Sequence, residues 1–396
     1  MSMRKTCLWA WVGLVMLLGP RPAHAVGLRF SGFGDVVLGL QQGQYADPSA
    51  RARFEAFGVD PDPVNTMRGF QITGTDFVVI ADMTDNFTFL GEINLQAGRG
   101  VSNEIELDVE RFFVDYKIDP KFNLQTGLYF TPIGYNNRFL YARAWLMNSI
   151  QVPDFFEEEL NLIPTHTIGI NGYGAFGLSG GRSINWTVSV GNGRAKAPDQ
   201  SVYARDFSDN KEVTGLVELI LPGYKDSRIG VSGWTVKIDT VRVDSPLFDP
   251  VDVKTGEPMQ LEETGLDVFA VFNTRHFTLN AEWVFSWQKD QLGNLPNGDY
   301  DFNGGLVEAA LHLRNGKLHP FLRYDRTNFG DGGGPYLSLR EDGGLVTRHY
   351  VPEFEAVMVG AAYDLNAHAR VKLEGSHHFS GPRQVNGLAF QIAYGF

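Results

Sequence analysis

The chain has 396 residues, of which 43% are hydrophobic and 20% are charged, and its formal net charge is −12. This acidic balance argues against nucleic acid as a partner. The aromatic share of 13% and the 45 glycines are high for a soluble exported enzyme. They are typical of a β-barrel that spans a membrane, which needs aromatic girdles and tightly curved strands.

The first 25 residues have the organisation of a secretory signal peptide. The basic residues Arg4 and Lys5 precede an apolar core, which ends at Leu18 and is followed by the small-x-small pattern of a cleavage site at 23–25. The apolar core is too short to span a bilayer as a helix. We therefore predict that residues 1–25 are removed on export. The formal net charge then changes from −12 to −15, because three basic residues and no acidic residue are lost.

Cys7 is the only cysteine and lies within this predicted signal peptide. The mature chain would then have no disulfide and no cysteine metal site. After Leu18 there is no run of about 18 apolar residues, which argues against membrane-spanning helices. The histidines lack the i, i+4 spacing of a metal pair on a helix. We therefore expect no metal and no cofactor.

Residues 177–181, Gly-Leu-Ser-Gly-Gly, fit the G-x-S-x-G pattern of a nucleophile elbow. That chemistry needs an apolar strand before the serine and a helix after it in an α/β sheet. In this chain the motif lies in a predicted turn between two strands, so the required context is missing. We predict no catalytic residue and no enzyme activity.

The rest of the chain alternates between apolar and polar residues, as the strands of an antiparallel barrel do. In the bilayer interior every backbone N–H and C=O must be paired within the protein, so strands can span it only as a closed barrel. Each strand needs about 9 to 11 residues, with apolar side chains outward and polar side chains toward the lumen. The clearest case is 277–287, in which Phe277 and Trp287 share one face and Asn280 and Glu282 share the other. Sixteen stretches fit this pattern: 28–38, 69–82, 87–96, 109–118, 122–130, 166–176, 184–192, 213–221, 229–238, 265–272, 277–287, 307–313, 318–325, 357–365, 369–379 and 388–396.

Connections between the predicted strands alternate between short and long. Those after even-numbered strands are brief, such as 119–121 and 366–368, whereas those after odd-numbered strands are mostly long, such as 131–165 and 326–353. Outer-membrane barrels have short periplasmic turns and long outer loops. We therefore predict that residues 26–396 form a single all-β, antiparallel transmembrane barrel of about sixteen strands with both ends in the periplasm. Fourteen or eighteen strands remain as alternatives.

In the predicted strands, the positions that alternate with the apolar residues face inward. Charged residues such as Glu92, Arg111 and Lys117 occupy these positions. A dry core would not accept many of them, because an ionised group taken out of water costs several kcal/mol even after relaxation. The lumen is therefore predicted to hold water.

The segment 131–164 interrupts the alternation and is predicted to fold into this lumen as a constriction. Charges at a narrowing select solutes, because the local dielectric is low and the field is focused there. The alternative is that its glutamate run is exposed on an outer loop. The candidate constriction residues are Arg138, Arg143, Asp154, Glu157, Glu158 and Glu159, and the candidate residues of a facing basic pore wall are Arg29, Arg323, Arg370 and Lys372.

The last predicted strand carries aromatic and aliphatic residues at a strict spacing of two and ends at Phe396. This stretch resembles the closing strand of bacterial outer-membrane barrels, whose terminal phenylalanine is read by the barrel assembly machinery. The resemblance implies that Tyr394 and Phe396 form an assembly signal.

Residues 127–134, Gly-Leu-Tyr-Phe-Thr-Pro-Ile-Gly, span the end of the fifth predicted strand. They are similar to the G-x-aromatic-x-x-P-x-G motif of the phosphate-selective porin-like group. The chain as a whole resembles the sixteen-stranded bacterial porins, in which the loop after strand five folds into the pore. The resemblance implies passive diffusion, a homotrimer, and outer-membrane lipid and lipopolysaccharide as surroundings. Phosphate-selective members line the pore with clustered arginines and a lysine ladder, whereas this loop is acidic.

The sequence therefore predicts a passive porin for small hydrophilic solutes or ions in the outer membrane of a Gram-negative bacterium. Two other classes remain open. A substrate-specific uptake channel for an anion, a sugar or an organic acid would need an affinity track, for which Tyr135, Phe139, Tyr141 and Trp145 are candidates. A surface adhesin or assembly barrel would act through the long outer loops.

Overall fold

The computed structural model describes residues 27–45, 68–97, 105–140, 145–156, 162–193, 210–223, 227–243, 258–293, 299–328, 337–339, 345–347, 353–378 and 383–396. Within these residues there are eighteen strands, the helical turn α1 (Asn136–Phe139) and two 3-10 turns (Asp154–Phe156 and Ser179–Gly181). The strands are β1 (Gly27–Tyr45), β2 (Arg68–Thr84), β3 (Phe87–Ala97), β4 (Ile105–Asp119), β5 (Phe122–Phe130), β6 (His166–Gly177), β7 (Ser183–Gly191), β8 (Glu212–Leu221), β9 (Ser227–Val243), β10 (Pro258–Asn273), β11 (Phe277–Asp290), β12 (Asp299–Leu311), β13 (Leu318–Asn328), β14 (Leu337–Leu339), β15 (Leu345–Thr347), β16 (Glu353–Asn366), β17 (Ala369–His378) and β18 (Arg383–Gly395).

Sixteen of the eighteen strands in the described residues close into one antiparallel barrel. Each barrel strand pairs with the barrel strands before and after it in the chain, β13 pairs with β16, and β1 pairs with both β2 and β18. The pairing of β1 with β18 closes the sheet, which removes the free edges of the first and last described strands. The prediction of a closed sixteen-stranded barrel is confirmed.

The two remaining strands form a small hairpin in the connection between β13 and β16. β14 pairs with β15 in antiparallel orientation, and β15 pairs in parallel with the end of β9 through Leu345 and Arg242. The described hairpin therefore lies beside the end of β9.

The barrel has a turn end, where the short connections lie, and a loop end, where the long connections lie. Two-residue turns at 85–86 and 120–121 join strands at the turn end. Phe396 also lies at the turn end, because it follows β18 and bonds to Gly32 near the start of β1. The segment 131–165 joins β5 to β6 from the loop end.

Several strands extend farther toward the loop end than the alternation predicted. β9 ends at Val243 rather than at 238, β10 begins at Pro258 rather than at 265, and β12 begins at Asp299 rather than at 307. The ladder continues through these extensions, where Pro258 pairs with Val241. Backbone pairing does not require apolar side chains, so the ladder can continue where the alternation stops. The pattern therefore underestimated strand length.

The two faces of the barrel differ in polarity. On the outer face apolar side chains such as Phe30, Phe112 and Val217 are exposed, which suits contact with lipid. On the inner face polar side chains such as Glu92 and Ser232 are buried. In the described part of the chain, no helix has the length and apolar character needed to cross a membrane.

The C-terminal residues hold the seam between β18 and β1. Phe396 exchanges two backbone hydrogen bonds with Gly32, at 2.9 and 2.8 Å, and its ring lies edge-on to Phe77 with 6.2 Å between centroids. The hydroxyl of Tyr394 lies 3.2 Å from that of Thr75. Tyr394 and Phe396 thus contribute to closure of the barrel, and their reading by an assembly machinery stays a prediction.

Candidate functional site

The segment between β5 and β6 is named the inner loop, residues 131–165, of which 131–140, 145–156 and 162–165 are described. Its two ends are tied together where it leaves the barrel wall. The backbone N–H of Thr131 donates to the carbonyl of Thr165 at 2.9 Å. The buried side chain of Asn137 donates to the carbonyl oxygens of both residues, at 2.9 and 3.0 Å. These bonds close the base of the inner loop.

The first half of the inner loop is anchored to Glu282, a buried residue on the inner face of β11. Its carboxylate accepts hydrogen bonds from the backbone N–H groups of Tyr135 and Asn136, at 3.1 and 2.9 Å, and from the Asn136 side chain at 2.6 Å. The backbone N–H of Gly134 donates to the hydroxyl of Ser232 at 2.9 Å. The first N–H groups of a helix have no partner within the helix. The barrel wall therefore satisfies the N–H groups that begin α1.

Gly134 marks the closest approach of the loop backbone to this wall. Its φ is +59°, in the left-handed region. An added Cβ would lie 1.9 Å from a carboxylate oxygen of Glu282 and 2.9 Å from a carboxylate oxygen of Asp267. The last glycine of the 127–134 motif is therefore required by the packing of the loop against two buried carboxyl groups.

Arg138 adds an ionic anchor beside α1. Its guanidinium donates to the buried carboxylate of Glu218 on β8 at 2.9 Å and to the carbonyl of Gly134 at 2.6 Å. Arg228 on β9 donates to the same carboxylate at 3.3 Å. Both guanidinium groups also lie over the ring of Phe139, at 4.8 and 4.5 Å from its centroid. Two guanidinium groups therefore share the carboxylate of Glu218.

The second half of the inner loop is bonded to β17. The ammonium of Lys372 donates to the carbonyl of Ser149 at 3.0 Å. Glu374 accepts hydrogen bonds from the hydroxyl of Ser149 at 2.6 Å and from the backbone N–H of Ile150 at 2.8 Å. Both wall residues are buried, so their charged groups are satisfied by the loop rather than by bulk water.

Two arginines hold carbonyl oxygens of the same half of the inner loop. Arg323 on β13 donates to the carbonyl of Gln151 at 2.6 Å and forms an ion pair with Asp325. Arg370 on β17 donates to the carbonyl of Met147 at 3.2 Å and pairs with Asp364 at 2.5 Å. A guanidinium has five N–H donors, so it can bind a carboxylate and a loop carbonyl at the same time.

An apolar core inside the lumen packs the inner loop onto the wall. The inner faces of β9 to β12 contribute an apolar patch, and the loop contributes aromatic and aliphatic side chains that cover it. Burial of this surface stabilises the docked loop by about 25 cal/mol per Å² of apolar area removed from water. The buried core consists of Ile133, Phe155, Phe156, Leu162 and Ile163 of the loop and Trp234, Val236, Ile238, Leu261, Val284, Phe302 and Leu306 of the wall.

The structure brings three of the four predicted wall residues to the inner loop. Arg323, Arg370 and Lys372 bind its carbonyl oxygens. Arg29 lies near the start of β1, where it pairs with Asp82 at 3.0 Å, and it forms no hydrogen bond or ion pair with the described part of the inner loop.

Among the predicted constriction residues, Arg138 belongs to the Glu218 anchor. Arg143 and the run Glu157, Glu158 and Glu159 lie outside the described residues. Asp154 begins a 3-10 turn, and its side chain is likewise outside what the structure describes. The meeting of acidic loop side chains with a basic wall therefore stays a prediction.

Sequence reasoning missed the acidic wall residues that hold the loop, such as Glu218 and Glu374. The alternation along a strand shows that a residue faces the lumen, but it does not show which residue it binds. Sequence reasoning also missed the apolar patch of the inner wall, although the sequence of β9 indicates it. Ile229 and Val231 are exposed on the outer face, whereas Trp234 is buried on the inner face, so the apolar residues change parity along the strand.

A cavity of about 390 Å³ lies between the inner loop and the part of the wall nearest the turn end. The loop side of the cavity carries Tyr135 and Phe139, and the wall side carries Arg228 and Arg370. Burial raises the pKa of the Tyr135 hydroxyl above its ordinary value.

No protein-family model matches the sequence, and no curated protein matches it at a significant level. Solved structures do match. An anion-selective porin from Comamonas acidovorans is 10% identical and aligns over 94% of this chain and 100% of its own, with a TM-score of 0.59. The fold is that of the outer-membrane porins. OmpT of Vibrio cholerae, an outer membrane protein described in a trimer form, is 10% identical over 94% of this chain and 100% of its own, with a TM-score of 0.55. OprB of Pseudomonas putida is 9% identical over 98% of this chain and 97% of its own, with a TM-score of 0.54.

The Gly134 contact predicts the effect of a single methyl group. Gly134→Ala should displace the start of the inner loop from Glu282, because the new Cβ would overlap a carboxylate oxygen. Hydrogen bonds to charged groups are worth about 1.5–3 kcal/mol. We therefore expect amide exchange in residues 133–140 to become about ten- to a hundredfold faster, measured by hydrogen–deuterium exchange of the detergent-solubilised protein.

Gly293→Ala is the matched control for this substitution. Gly293 also has a positive φ, of +71°, but its added Cβ would meet no atom within 4 Å. The Gly293→Ala substitution introduces the same type of backbone strain without the clash. Amide exchange in residues 133–140 should therefore equal that of the wild type. Equal exchange in both variants would show that the loop is not held at Glu282.

Proposed function

We propose that the protein is a porin that lets small hydrophilic solutes or ions diffuse passively across a bacterial outer membrane. The observation that carries this proposal is the inner loop anchored inside the lumen of a sixteen-stranded barrel. A barrel of this size encloses an aqueous channel when its lumen is not filled. The inner loop then sets the width of the channel, and the charges that remain free on its surface set the selectivity.

Placement in the outer membrane is supported by the apolar outer face and by the likeness in fold to outer-membrane porins. The signal peptide over 1–25 accounts for export. Outer-membrane lipid and lipopolysaccharide would contact the outer face, and the assembly machinery would read Tyr394 and Phe396. A Gram-negative bacterium is the source that fits these features.

A homotrimer is the assembly that fits this proposal. Support comes from the trimer form described for the similar OmpT structure of Vibrio cholerae. Light scattering of the detergent-solubilised protein distinguishes three chain masses from one.

Phosphate selectivity is not part of this proposal. The motif over 127–134 suggested it, but packing against Glu282 and Asp267 already explains the glycine at position 134. Arg323, Arg370 and Lys372 bind the inner loop instead of forming a row of free cations.

The apolar core predicts how the pore widens. Replacing Phe155 and Phe156 together by alanine removes two buried rings that hold the loop, and each such truncation in a core costs roughly 3–5 kcal/mol. The loop should then leave the wall, and single-channel conductance in planar lipid bilayers should rise well above the wild-type value.

The control pair is Ile170→Ala with Phe176→Ala, which removes two exposed side chains from the outer face of β6. This pair should keep wild-type conductance. If the Phe155 and Phe156 variant inserted as a folded barrel with unchanged conductance, the inner loop would not limit the pore.

The glutamate run of the loop is proposed to form an acidic side of the pore. Replacing Glu157, Glu158 and Glu159 together by glutamine removes three negative charges and should shift ion preference toward anions. Reversal potentials in planar bilayers under a salt gradient report this shift. An unchanged reversal potential would show that these residues do not line the pore.

A further inference from the structure

Two buried carboxyl groups meet on the inner wall where the inner loop begins. Asp267 on β10 and Glu282 on β11 are 0% and 2% exposed, and their side chains are hydrogen-bonded to each other. A Cβ on Gly134 would lie 1.9 Å from Oε1 of Glu282 and 2.9 Å from Oδ2 of Asp267. The backbone of the inner loop therefore lies directly over both carboxyl groups, which are named the carboxyl pair.

A direct hydrogen bond between two carboxyl groups requires a proton. An ionised carboxylate has acceptor oxygens only, whereas a protonated carboxyl group has one O–H donor. Oε2 of Glu282 accepts the hydrogen bonds from the inner loop. In the described residues no other donor reaches its Oε1. Two carboxylates in direct contact in a buried site cannot both ionise, so the carboxyl pair holds one proton and carries one negative charge.

The surrounding charges balance a carboxyl pair with one proton. Arg138 and Arg228 both bind the carboxylate of Glu218, so these three groups together have one positive charge in excess. A carboxyl pair with one proton makes the cluster neutral. A fully ionised pair would leave one buried negative charge without a partner, which is costly. The charged and titratable groups around the pair are Arg138 and Tyr135 of the inner loop, Arg228 of β9 and Glu218 of β8.

A metal ion or a water molecule explains the contact less well than a proton does. In the part of the chain that the structure describes, no group of three His, Cys, Asp or Glu side chains is placed to hold a metal ion. The two carboxyl groups are hydrogen-bonded directly to each other, so no water lies between them. A shared proton needs no further ligand.

We propose that Asp267 is a positioning residue for the inner loop, because it holds a proton that it donates to Glu282 and so keeps the carboxyl pair closed beneath Gly134. At alkaline pH the proton passes to hydroxide in the lumen. Two negative charges then lie side by side, the carboxyl groups separate, and the start of the inner loop is displaced. The consequence for the pore, a conductance that rises reversibly with pH, rests on the proposed function.

Infrared difference spectroscopy of the detergent-solubilised protein detects the proton, because a protonated carboxyl group and a carboxylate absorb at different frequencies. At neutral pH the wild type should show a protonated carboxyl band that Asp267→Asn lacks. Asp85→Asn is the matched control, because Asp85 is exposed in the turn between β2 and β3, and this variant should keep the band. If Asp267→Asn lost no such band, both carboxyl groups would be ionised and the proposal would be overturned.

Amide exchange in residues 133–140 shows whether the proton positions the inner loop. Asp267→Ala removes the donor and should make this exchange about ten- to a hundredfold faster at neutral pH, as expected for a buried acceptor left without its donor. Asp267→Asn keeps an N–H donor in nearly the same shape, so it should retain the wild-type rate.

Ser286→Ala is the control for the alanine variant. Ser286 is a buried residue on the same inner face, and its hydroxyl has no hydrogen-bond partner among the described residues. Exchange in residues 133–140 should therefore stay at the wild-type rate. Equal exchange in Asp267→Ala and Asp267→Asn, or an equal increase in Ser286→Ala, would contradict the role of Asp267 as a donor.

The pH profile tests the proton itself. When exchange is divided by the intrinsic rate at each pH, the protection of residues 133–140 in the wild type should fall at the pH at which the carboxyl band is lost. Asp267→Asn should keep its protection, although Tyr135, Arg138 and Arg228 are still present in it. An equal fall in Asp267→Asn would assign the change to those groups instead. Persistence of both band and protection throughout the alkaline range would equally overturn the proposal.

Channel activity is measured separately, as bilayer conductance over the same pH range. Conductance by a barrel without the shared proton would overturn this inference and leave the porin proposal standing. A shared proton and pH-dependent exchange in a barrel without conductance would overturn the porin proposal and leave the role of Asp267 standing.

Discussion

The structure depends on an apolar contact in an unusual place, the inside of a polar barrel. Phe155 and Phe156 of the inner loop belong to one apolar cluster with Leu261 and Val284 of the wall, and these side chains are almost completely buried. A loop in a uniformly polar lumen would remain solvated, because water competes well for each of its hydrogen bonds. The apolar patch excludes that water, and the ionic anchors around it then operate at lower dielectric. Loop and wall are therefore one folding unit.

This arrangement changes what the lumen charges do. Glu282 and Glu374 accept hydrogen bonds from loop backbone groups, while Arg323 and Lys372 donate to loop carbonyls. These charges hold the inner loop in place, and each would be costly to bury without its loop partner. Arg138 of the loop and Arg228 of the wall add a further anchor of this kind, because both donate to the carboxylate of Glu218.

The sequence was sufficient for the barrel but not for the site. Alternation is a local property, so residues such as Phe277 and Glu282 could be assigned to opposite faces of one strand, and the short turns then gave the order of the strands. The partner of Glu282 lies 146 positions away, at Asn136, and no local pattern encodes such a pair. The alternation shows which face of a strand a residue is on, but not how far it lies from the turn end or the loop end. Arg29 and Arg323 could therefore not be told apart before the register was known. The change in β9 at Trp234, where the apolar residues move to the inward positions, was a local sign of the inner core.

A cysteine pair measures directly whether the inner loop lies against the wall inside the lumen. In a Cys7→Ser background, Ser149→Cys with Glu374→Cys should be joined by a short bifunctional thiol-reactive cross-linker, because the native side-chain oxygens are 2.6 Å apart. Ser149→Cys with Arg275→Cys, on the exposed turn, should not be joined. Efficient cross-linking of the first pair and not of the second, in folded protein in lipid, is the result expected. Failure of the first pair, or equal cross-linking of both, would contradict the docked loop.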